Sequence, residues 1–366
     1  MRIRLRQFLA LTILLVPAIL PAQASDSHAS VTVGSATARR GERAYGILKV
    51  PAGTDSGTSI QIAVINGAKP GPVVAFVSGA HGTEYASLVA MTRFIARVDP
   101  KTLSGTVIVV PLLNIASFEQ MVPHINPVDK KGMNASYPGD RTGTQSSRVL
   151  ALVAEQIVKP ADVIIDLHGG DLDEDLRPYA YWIRSGDATL DSASYDLATH
   201  FGLDMIIVRD LDVTQAASIR NLSGFALSLG KTTIVAEAGR SGQVTKQDTE
   251  ALVNGSFNVL ARLKMIAAPA SPAAKSITYV GNDARVRADS GGMFYAIATR
   301  GSTVKKGAKV GSITDYVGRP LGDILAPQDG VVTFIRGVPS MTKGATLVTV
   351  AQNFGKLAPA YAKPQQ

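Results

Sequence analysis

The chain has 366 residues, of which 46% are hydrophobic and 18% are charged, and its formal net charge at pH 7 is +8. The length predicts two domains, and the apolar fraction excludes disordered and fibrous proteins. No residue is cysteine, which excludes disulfide scaffolds, thiolate metal sites and thiol nucleophiles and leaves His, Asp and Glu as the strong metal ligands.

The first 24 residues have the pattern of a cleaved secretory signal. Three arginines precede the apolar run 8–20, and residues 22–24 have the small-x-small pattern of a signal-peptidase site. The alternative is a membrane anchor, but the run is interrupted by Pro17 and is shorter than the roughly 20 residues of a spanning helix. We therefore predict a periplasmic or secreted protein, cleaved after Ala24, with no stable membrane insertion.

Apolar runs that favour β-structure alternate with helical patterns in the residues that follow. The runs predicted as buried strands are residues 73–78, 106–111, 163–167 and 232–236. The segments predicted as helices are residues 85–95, 148–158 and 247–266. This alternation predicts an α/β domain over residues 25–266, with a mixed, mostly parallel sheet flanked by helices.

The composition changes after residue 266. Residues 267–276 are rich in Ala, Pro and Ser, which is typical of a linker. Short β-runs separated by glycines follow, and they predict a smaller all-β sandwich or barrel domain over residues 277–355 and a tail over residues 356–366. We expect this β domain to cover one edge of any cleft in the α/β domain and to restrict access for large ligands.

Polar residues of the catalytic kind follow the predicted strands directly. His81, Asn114, His168 and Glu237 each come at or just after the end of one of the four apolar runs. In open α/β sheets the functional site lies beyond the carboxyl ends of the strands. We therefore expect these side chains to converge at one edge of the sheet.

The residues at these strand ends can form a metal site. His81 and Glu84 are three residues apart across a glycine turn, and His168 can complete a His2Glu set. Such a set leaves a fourth position open for water, as in catalytic zinc sites. Asp166 lies two residues before His168, on the same side of the strand, where it could orient the imidazole. The alternative is that these histidines are ordinary hydrogen-bonding groups.

Glu237 is the candidate for proton transfer. It ends the strand 232–236 beside the predicted metal ligands, so we assign it as general base and later as general acid. The alternative is an ion pair with a neighbour such as Arg240.

Two further features lie downstream of the His168 strand. Tyr179 and Tyr181 could line the cleft. The acidic segment 171–175 lacks the spacing of an EF-hand calcium loop, so we interpret it as a solvated acidic loop.

An ordered series of motifs resembles the succinylglutamate desuccinylase/aspartoacylase family, a branch of the zinc carboxypeptidase-like hydrolases. The series consists of Gly71-Pro72, Gly79-Ala80-His81-Gly82-Thr83-Glu84-Tyr85, Asn126-Pro127-Val128-Asp129, Asn134, Tyr137-Pro138-Gly139, Asp166-Leu167-His168-Gly169, Glu237-Ala238-Gly239 and, in the glycine-rich C-terminal part, residues 326–332. The resemblance implies a zinc-carboxypeptidase-like fold and one zinc per chain held by His81, Glu84 and His168. It also implies that Glu237 activates water to hydrolyse an amide bond.

The sequence departs from the family pattern where substrate is recognised. The family's Asn-Arg pair stands here as Asn134-Ala135, and the arginine expected upstream is replaced around Pro123 and His124. In family members these arginines bind the substrate carboxylate and polarise the scissile carbonyl. The cations that could replace them from other loops are Arg141, Arg177 and Arg240, and His124 could donate to the oxyanion. The alternative, which is the more common role of such residues, is that each is a solvated surface group. Our candidate substrate-binding residues are Asn134, His124, Arg177 and Tyr179.

Three functions remain open at this point. The first is an exported zinc-dependent deacylase of an N-acyl amino-acid-like or peptide-like substrate. The second is a zinc carboxypeptidase or amidase that acts on cell-wall or other peptides, and the third is a non-catalytic binding protein that retains its metal. The basic residues are spread along the chain without a run interleaved with aromatic residues, so we expect a small-molecule or peptide partner and not nucleic acid.

Overall fold

A computed structural model describes residues 28–272 and 274–358. The predicted signal peptide and most of the predicted tail lie outside these residues, as does residue 273 of the predicted linker. Within the described part of the chain, no helix is long and apolar enough to cross a membrane.

The first half of the fold alternates strands and helices. Its strands are β1 (Ser30–Val33), β2 (Ala36–Arg39), β3 (Glu42–Val50), β4 (Thr58–Asn66), β5 (Lys69–Ser78), β6 (Ser104–Val110), β7 (Val163–His168), β8 (Glu174–Leu176), β9 (Tyr179–Arg184), β10 (Met205–Asp210) and β11 (Thr232–Glu237). Its helices are α1 (Tyr85–Arg97), α2 (Ile115–Gln120), α3 (Gln145–Val153), α4 (Ala188–His200), α5 (Leu222–Ser228) and α6 (Lys246–Arg262). A 3-10 turn covers Met133–Ala135, and a π-helical segment, Ala154–Val158, extends α3.

All the regular elements that the structure describes after α6 are strands. They are β12 (Thr278–Arg287), β13 (Gly292–Ala296), β14 (Thr303–Val304), β15 (Lys309–Thr314), β16 (Pro320–Leu325), β17 (Gly330–Arg336), β18 (Ser340–Met341) and β19 (Thr346–Gly355). Four of them form a separate sheet in the order β16-β15-β13-β18.

A mixed sheet of 13 strands forms the framework of the molecule. Its order is β14-β17-β19-β12-β10-β9-β11-β7-β5-β6-β4-β3, with β8 paired to β17. The central strands β6, β5, β7 and β11 are parallel, whereas β9 joins β11 in antiparallel orientation. The C-terminal strands continue the same sheet, because β12 pairs in parallel with β10. The predicted fold class, an α/β sheet flanked by helices with an additional C-terminal all-β region, is confirmed.

Both faces of the central sheet are covered, which explains why its strands are continuous apolar runs. Along β5, Val74 and Phe76 belong to the core packed against α1 and α6, while Ala75 and Val77 belong to the opposite core, which includes α3. The four predicted strands and three predicted helices are present with boundaries shifted by a few residues.

Candidate metal centre and active site

The turn between β5 and α1 carries the first two candidate ligands. Gly79 has a φ of 72°, a conformation that favours glycine, and a side chain at Gly82 would collide with the backbone of Phe118. The chain therefore turns sharply, and Glu84 occupies the N-cap position of α1. Its carboxylate makes no capping hydrogen bond, because it faces the histidines instead.

The three predicted ligands converge around the carboxylate of Glu84. Its Oε1 lies 2.6 Å from Nδ1 of His81, and its Oε2 lies 3.0 Å from Nδ1 of His168. One potential ligand atom from each residue lies within 4.8 Å of the others. Two imidazole nitrogens and one carboxylate oxygen at these separations are a donor set that suits a divalent cation of the zinc type.

Electrostatics hold this carboxylate ionised. Glu84 is only 2% exposed, and although burial opposes ionisation, the charges and hydrogen bonds of His168 and His81 lower the pKa of its carboxyl well below the ordinary value. Burial also opposes the charged form of His168, but the carboxylates of Asp166 and Glu84 raise its pKa well above the ordinary value. A buried imidazole between two carboxylates is stable as a cation, and a bound metal ion would supply the same positive charge.

Asp166 lies where the sequence places it. Its Oδ1 is 3.2 Å from Nε2 of His168, the ring nitrogen that faces away from Glu84. Alternation along β7 puts both side chains on one side of the sheet. Asp166 can therefore fix the orientation of the imidazole.

Glu237 lies beside the ligands on the neighbouring strands. It pairs in register with His168 of β7 on one side and with Tyr179 of β9 on the other. The Tyr179 hydroxyl donates a 2.8 Å hydrogen bond to the Glu237 carboxylate. Burial, together with the negative charge of Glu84, raises the pKa of Glu237. The alternative partner, Arg240, instead donates to Gln243 and is exposed.

The acidic segment is not a solvated loop, so that interpretation was wrong. Asp171 is fully buried and accepts hydrogen bonds from the Thr83 hydroxyl and the His124 backbone. The His124 ring lies between carboxylates, with Nδ1 3.1 Å from Asp171 and Nε2 3.0 Å from Asp173. Burial raises the pKa of Glu174, aided by the charge of Glu84, to about 8.

His124 lines the cavity but is already engaged. Burial opposes its charge, yet its hydrogen bond to Asp173 and the charge of Asp171 raise its pKa to about 9. Because a carboxylate faces each ring nitrogen, no ring N–H remains to donate to a substrate carbonyl. The structure therefore disagrees with His124 as an oxyanion donor.

The other predicted substrate-binding residues divide into two groups. Asn134 and Tyr179 line the cavity. Asn134 Nδ2 lies 3.2 Å from Nε2 of His168, and its Oδ1 is buried without a partner, which suits a contact with a substrate N–H group. Arg177 does not line the cavity, because its guanidinium forms an ion pair with Asp204 at 2.7 Å. This placement argues against Arg177 as a substrate-binding residue.

The remaining arginine candidate, Arg141, is also committed elsewhere, in a surface ion pair with Glu155. Arg220 was not predicted to lie near the site. Its Nε donates a 2.7 Å hydrogen bond to the carbonyl of Ala135, in the 3-10 turn that carries Asn134. No motif marks this residue, and only the fold brings it to the 3-10 turn.

The cavity has a volume of about 740 Å³, within the range of small-molecule sites. The strand-end residues form one part of its wall and the C-terminal strands another. Sequence reasoning missed four arginines in this lining, Arg209, Arg285, Arg287 and Arg336. The alternating charges at positions 283, 285 and 287 were the available signal, since alternation puts them on one face of a strand.

Comparison with known proteins agrees with this geometry. A sequence model of the succinylglutamate desuccinylase/aspartoacylase catalytic domain matches residues 70–263, more than half of the chain. The chain therefore belongs to this family.

Individual relatives have low sequence identity to this chain but match it over most of its length. The N-alpha-acetyl-L-2,4-diaminobutyric acid deacetylase of Halomonas elongata is 23% identical over 320 residues, which cover 84% of this chain and 91% of the relative. A succinylglutamate desuccinylase/aspartoacylase structure from Rhodobacter sphaeroides has a TM-score of 0.76 at 24% identity, covering 85% of this chain and 96% of that one. The product-bound ectoine utilization protein EutE (DoeB) of Ruegeria pomeroyi also has a TM-score of 0.76, at 21% identity and with coverage of 85% and 95%. These similarities establish a common fold.

Proposed function

We propose that this chain is an exported, zinc-dependent hydrolase that cleaves the amide bond of an N-acyl amino-acid-like or peptide-like substrate. The observation that carries the proposal is the convergence of His81, Glu84 and His168 with Glu237 at the carboxyl ends of adjacent strands. The Halomonas elongata relative is a deacetylase, which supports the same class of reaction. Export rests on the signal pattern of residues 1–24.

These residues have different roles in the proposed reaction. His81, Glu84 and His168 would hold the metal, which supplies Lewis-acid polarisation of the scissile carbonyl and lowers the pKa of water when it is bound. Glu237 accepts a proton from the attacking water and later delivers it to the leaving nitrogen.

Two neighbours support that transfer. The Tyr179 hydroxyl fixes the carboxylate of Glu237, and the raised pKa of Glu237 brings it nearer to the value at which it can both accept and return a proton. Asn134 presents its unpartnered amide oxygen to the substrate.

The test combines metal content with a hydrolysis screen. Purified protein is reconstituted with zinc, its metal is counted, and a panel of N-acyl amino acids and peptides is incubated with and without chelator. We expect about one zinc per chain, as the ligand set requires, and chelator-sensitive cleavage. Cleavage of peptides but not of N-acyl amino acids would favour the carboxypeptidase or amidase. Stoichiometric zinc without any hydrolysis would favour the binding protein.

The substitution Glu237→Gln tests the general base. It keeps the size of the side chain and removes the proton acceptor, so kcat should fall by about 10²–10⁴-fold while zinc content stays unchanged. Glu250→Gln is the matched control, because Glu250 lies on α6 in surface ion pairs with Arg93 and Arg97. Wild-type turnover in the Glu237→Gln protein would contradict the assignment.

A further inference from the structure

Strand β12 presents a row of charges to the active-site cavity. Asp283, Arg285 and Arg287 alternate with Ala284 and Val286, and all three charged residues line the cavity. Arg209 of the adjacent strand β10 joins them. We call Arg209, Arg285 and Arg287 the arginine wall.

The arginine wall carries more positive charge than its acidic neighbour neutralises. Asp283 is shared, with Oδ1 3.0 Å from Arg209 and Oδ2 3.4 Å from Arg285. Arg287 donates to the carbonyl of Gly344 at 2.9 Å, and no carboxylate contacts it among the described residues. Three guanidinium groups therefore face one carboxylate.

Two further charged residues of the lining, Asp210 and Arg336, are paired with residues of opposite charge. Asp210 is held by the buried Arg184 at 2.5 Å. Arg336 pairs with Asp173 at 2.8 Å and also donates to two backbone carbonyls, so its guanidinium is fully engaged in joining β17 to the acidic segment. Among the arginines that line the cavity, the unneutralised positive charge therefore lies in the arginine wall.

The wall is also accessible. The side chains of Arg209 and Arg285 are 42% and 46% exposed, and Arg209 lies over the ring of Tyr181, 4.9 Å from its centroid. Stacking fixes one face of the Arg209 guanidinium without using its N–H donors. The exposed guanidinium of Arg285 beside it is planar and suits a two-pronged contact with a carboxylate.

We propose that Arg285 and Arg287 bind a free carboxylate of the substrate and thereby select acidic N-acyl substrates over neutral ones. The other cationic candidates are excluded by their own contacts, since His124 lies between two carboxylates and Arg177 is paired outside the cavity. Arg209 shares Asp283 with Arg285 and maintains the position of that carboxylate when Arg285 turns to the substrate. This assignment rests on the proposed function, because it places the ligand in the same cavity.

The kinetic test uses the zinc-loaded enzyme with the best-cleaved N-acyl amino acid of the panel and with its C-terminal carboxamide. We expect the wild type to have a lower KM for the acid than for the carboxamide. The double variant Arg285→Gln/Arg287→Gln should raise KM for the acid about tenfold or more, with little change in kcat, because a charge-assisted contact is lost. KM for the carboxamide should not change. Arg319→Gln is the control, because Arg319 pairs with Asp315 on the surface of the C-terminal region.

The binding test does not depend on turnover. Calorimetry on zinc-loaded Glu237→Gln protein compares N-acetyl amino acids with their carboxamides, with and without the two arginine substitutions. The proposal is supported, even if no hydrolysis is found, when the two substitutions weaken binding of the acids at least tenfold and leave binding of the carboxamides unchanged. Equal binding of acids and carboxamides by the parent protein overturns it, and so does an acid preference that survives the double substitution. Arg285→Lys/Arg287→Lys, which keeps the charge, should recover part of the preference and excludes misfolding as the cause.

Discussion

The two ends of the active-site cavity are built in opposite ways. In the metal corner, formed by His81, Glu84, His168 and Glu237, the carboxylate of Glu84 is 2% exposed and contacts both histidines. In the arginine wall, Arg209 and Arg285 have side chains that are 42% and 46% exposed and share the carboxylate of Asp283, while Arg287 contacts no carboxylate among the described residues. The metal corner is thus pre-organised by its own contacts, whereas the arginine wall has binding capacity that no protein group satisfies. In our proposals, the buried strand ends set reactivity and the exposed residues of β10 and β12 set substrate choice.

The largest effect is expected from removing a metal ligand. His168→Ala removes one of three donors and one of the two histidine partners of Glu84, so stoichiometric zinc should be lost and activity should fall at least about 1000-fold. Metal analysis after gel filtration, together with the hydrolysis assay, measures both. His200→Ala is the matched control, because His200 lies exposed at the end of α4. Full zinc occupancy in His168→Ala would mean that residues other than His168 hold the metal.

A smaller effect is expected from the group that orients the ligand. Asp166→Asn keeps the shape of the side chain but removes the charge beside Nε2 of His168, so zinc affinity should weaken by about 10–100-fold. Competition with a chelator measures this affinity. Asp204→Asn serves as the control, because Asp204 pairs with Arg177 outside the cavity lining. Unchanged affinity would show that His168 is oriented without Asp166.

The hydroxyl of Tyr179 should tune the general base. Its hydrogen bond favours the ionised form of Glu237, so Tyr179→Phe should raise the pKa of Glu237 further. The acidic limb of the kcat profile should therefore move to higher pH, with a kcat loss of about tenfold. Tyr195→Phe, which removes a hydroxyl that contacts Tyr279 instead, should leave the profile unchanged. An unshifted acidic limb in Tyr179→Phe would show that the Tyr179 hydroxyl does not affect the pKa of the general base.

The smallest effect concerns the stability of the acidic segment 171–175, of which Asp173 and Glu174 line the cavity. Its carboxylates raise the pKa of His124 in the folded, metal-free protein from 6.5 to about 9. A raised pKa means that the contribution of His124 to stability is complete below about pH 6.5 and is lost as the pH rises through about 9. His124→Gln should therefore lower the Tm modestly near neutral pH, and the difference from wild type should vanish at higher pH. A Tm difference that is independent of pH would indicate lost packing and not lost charge.

The buried half of the site could be predicted from the sequence because its signals are local. Continuous apolar runs identify strands that are covered on both faces, and the polar residue that follows each run marks the carboxyl end. His81, His168 and Glu237 were found in this way. The antiparallel placement of β9 beside β11, which brings Tyr179 to Glu237, depends on a distant pairing that no local pattern encodes.

The acidic segment and the arginine wall could not be predicted from the sequence alone. The charges of the acidic segment 171–175 are typical of a solvated loop, and only the fold shows that His124 and Arg336 neutralise them. The alternation of Asp283 and Arg285 predicts a common face, but the pairing of β12 with β10 decides that this face borders the active-site cavity.

That pairing of β12 with β10 has a mechanical consequence. Three consecutive residue pairs, from Met205 with Thr278 to Ile207 with Val280, tie the C-terminal strands into the central sheet. Bending at this junction would break main-chain hydrogen bonds in a parallel ladder, so we expect the central and C-terminal strands to move as one unit and not as hinged lobes. We therefore expect the mouth of the cavity to keep a constant width through the catalytic cycle, and substrates to be selected by size at entry and not by closure around them.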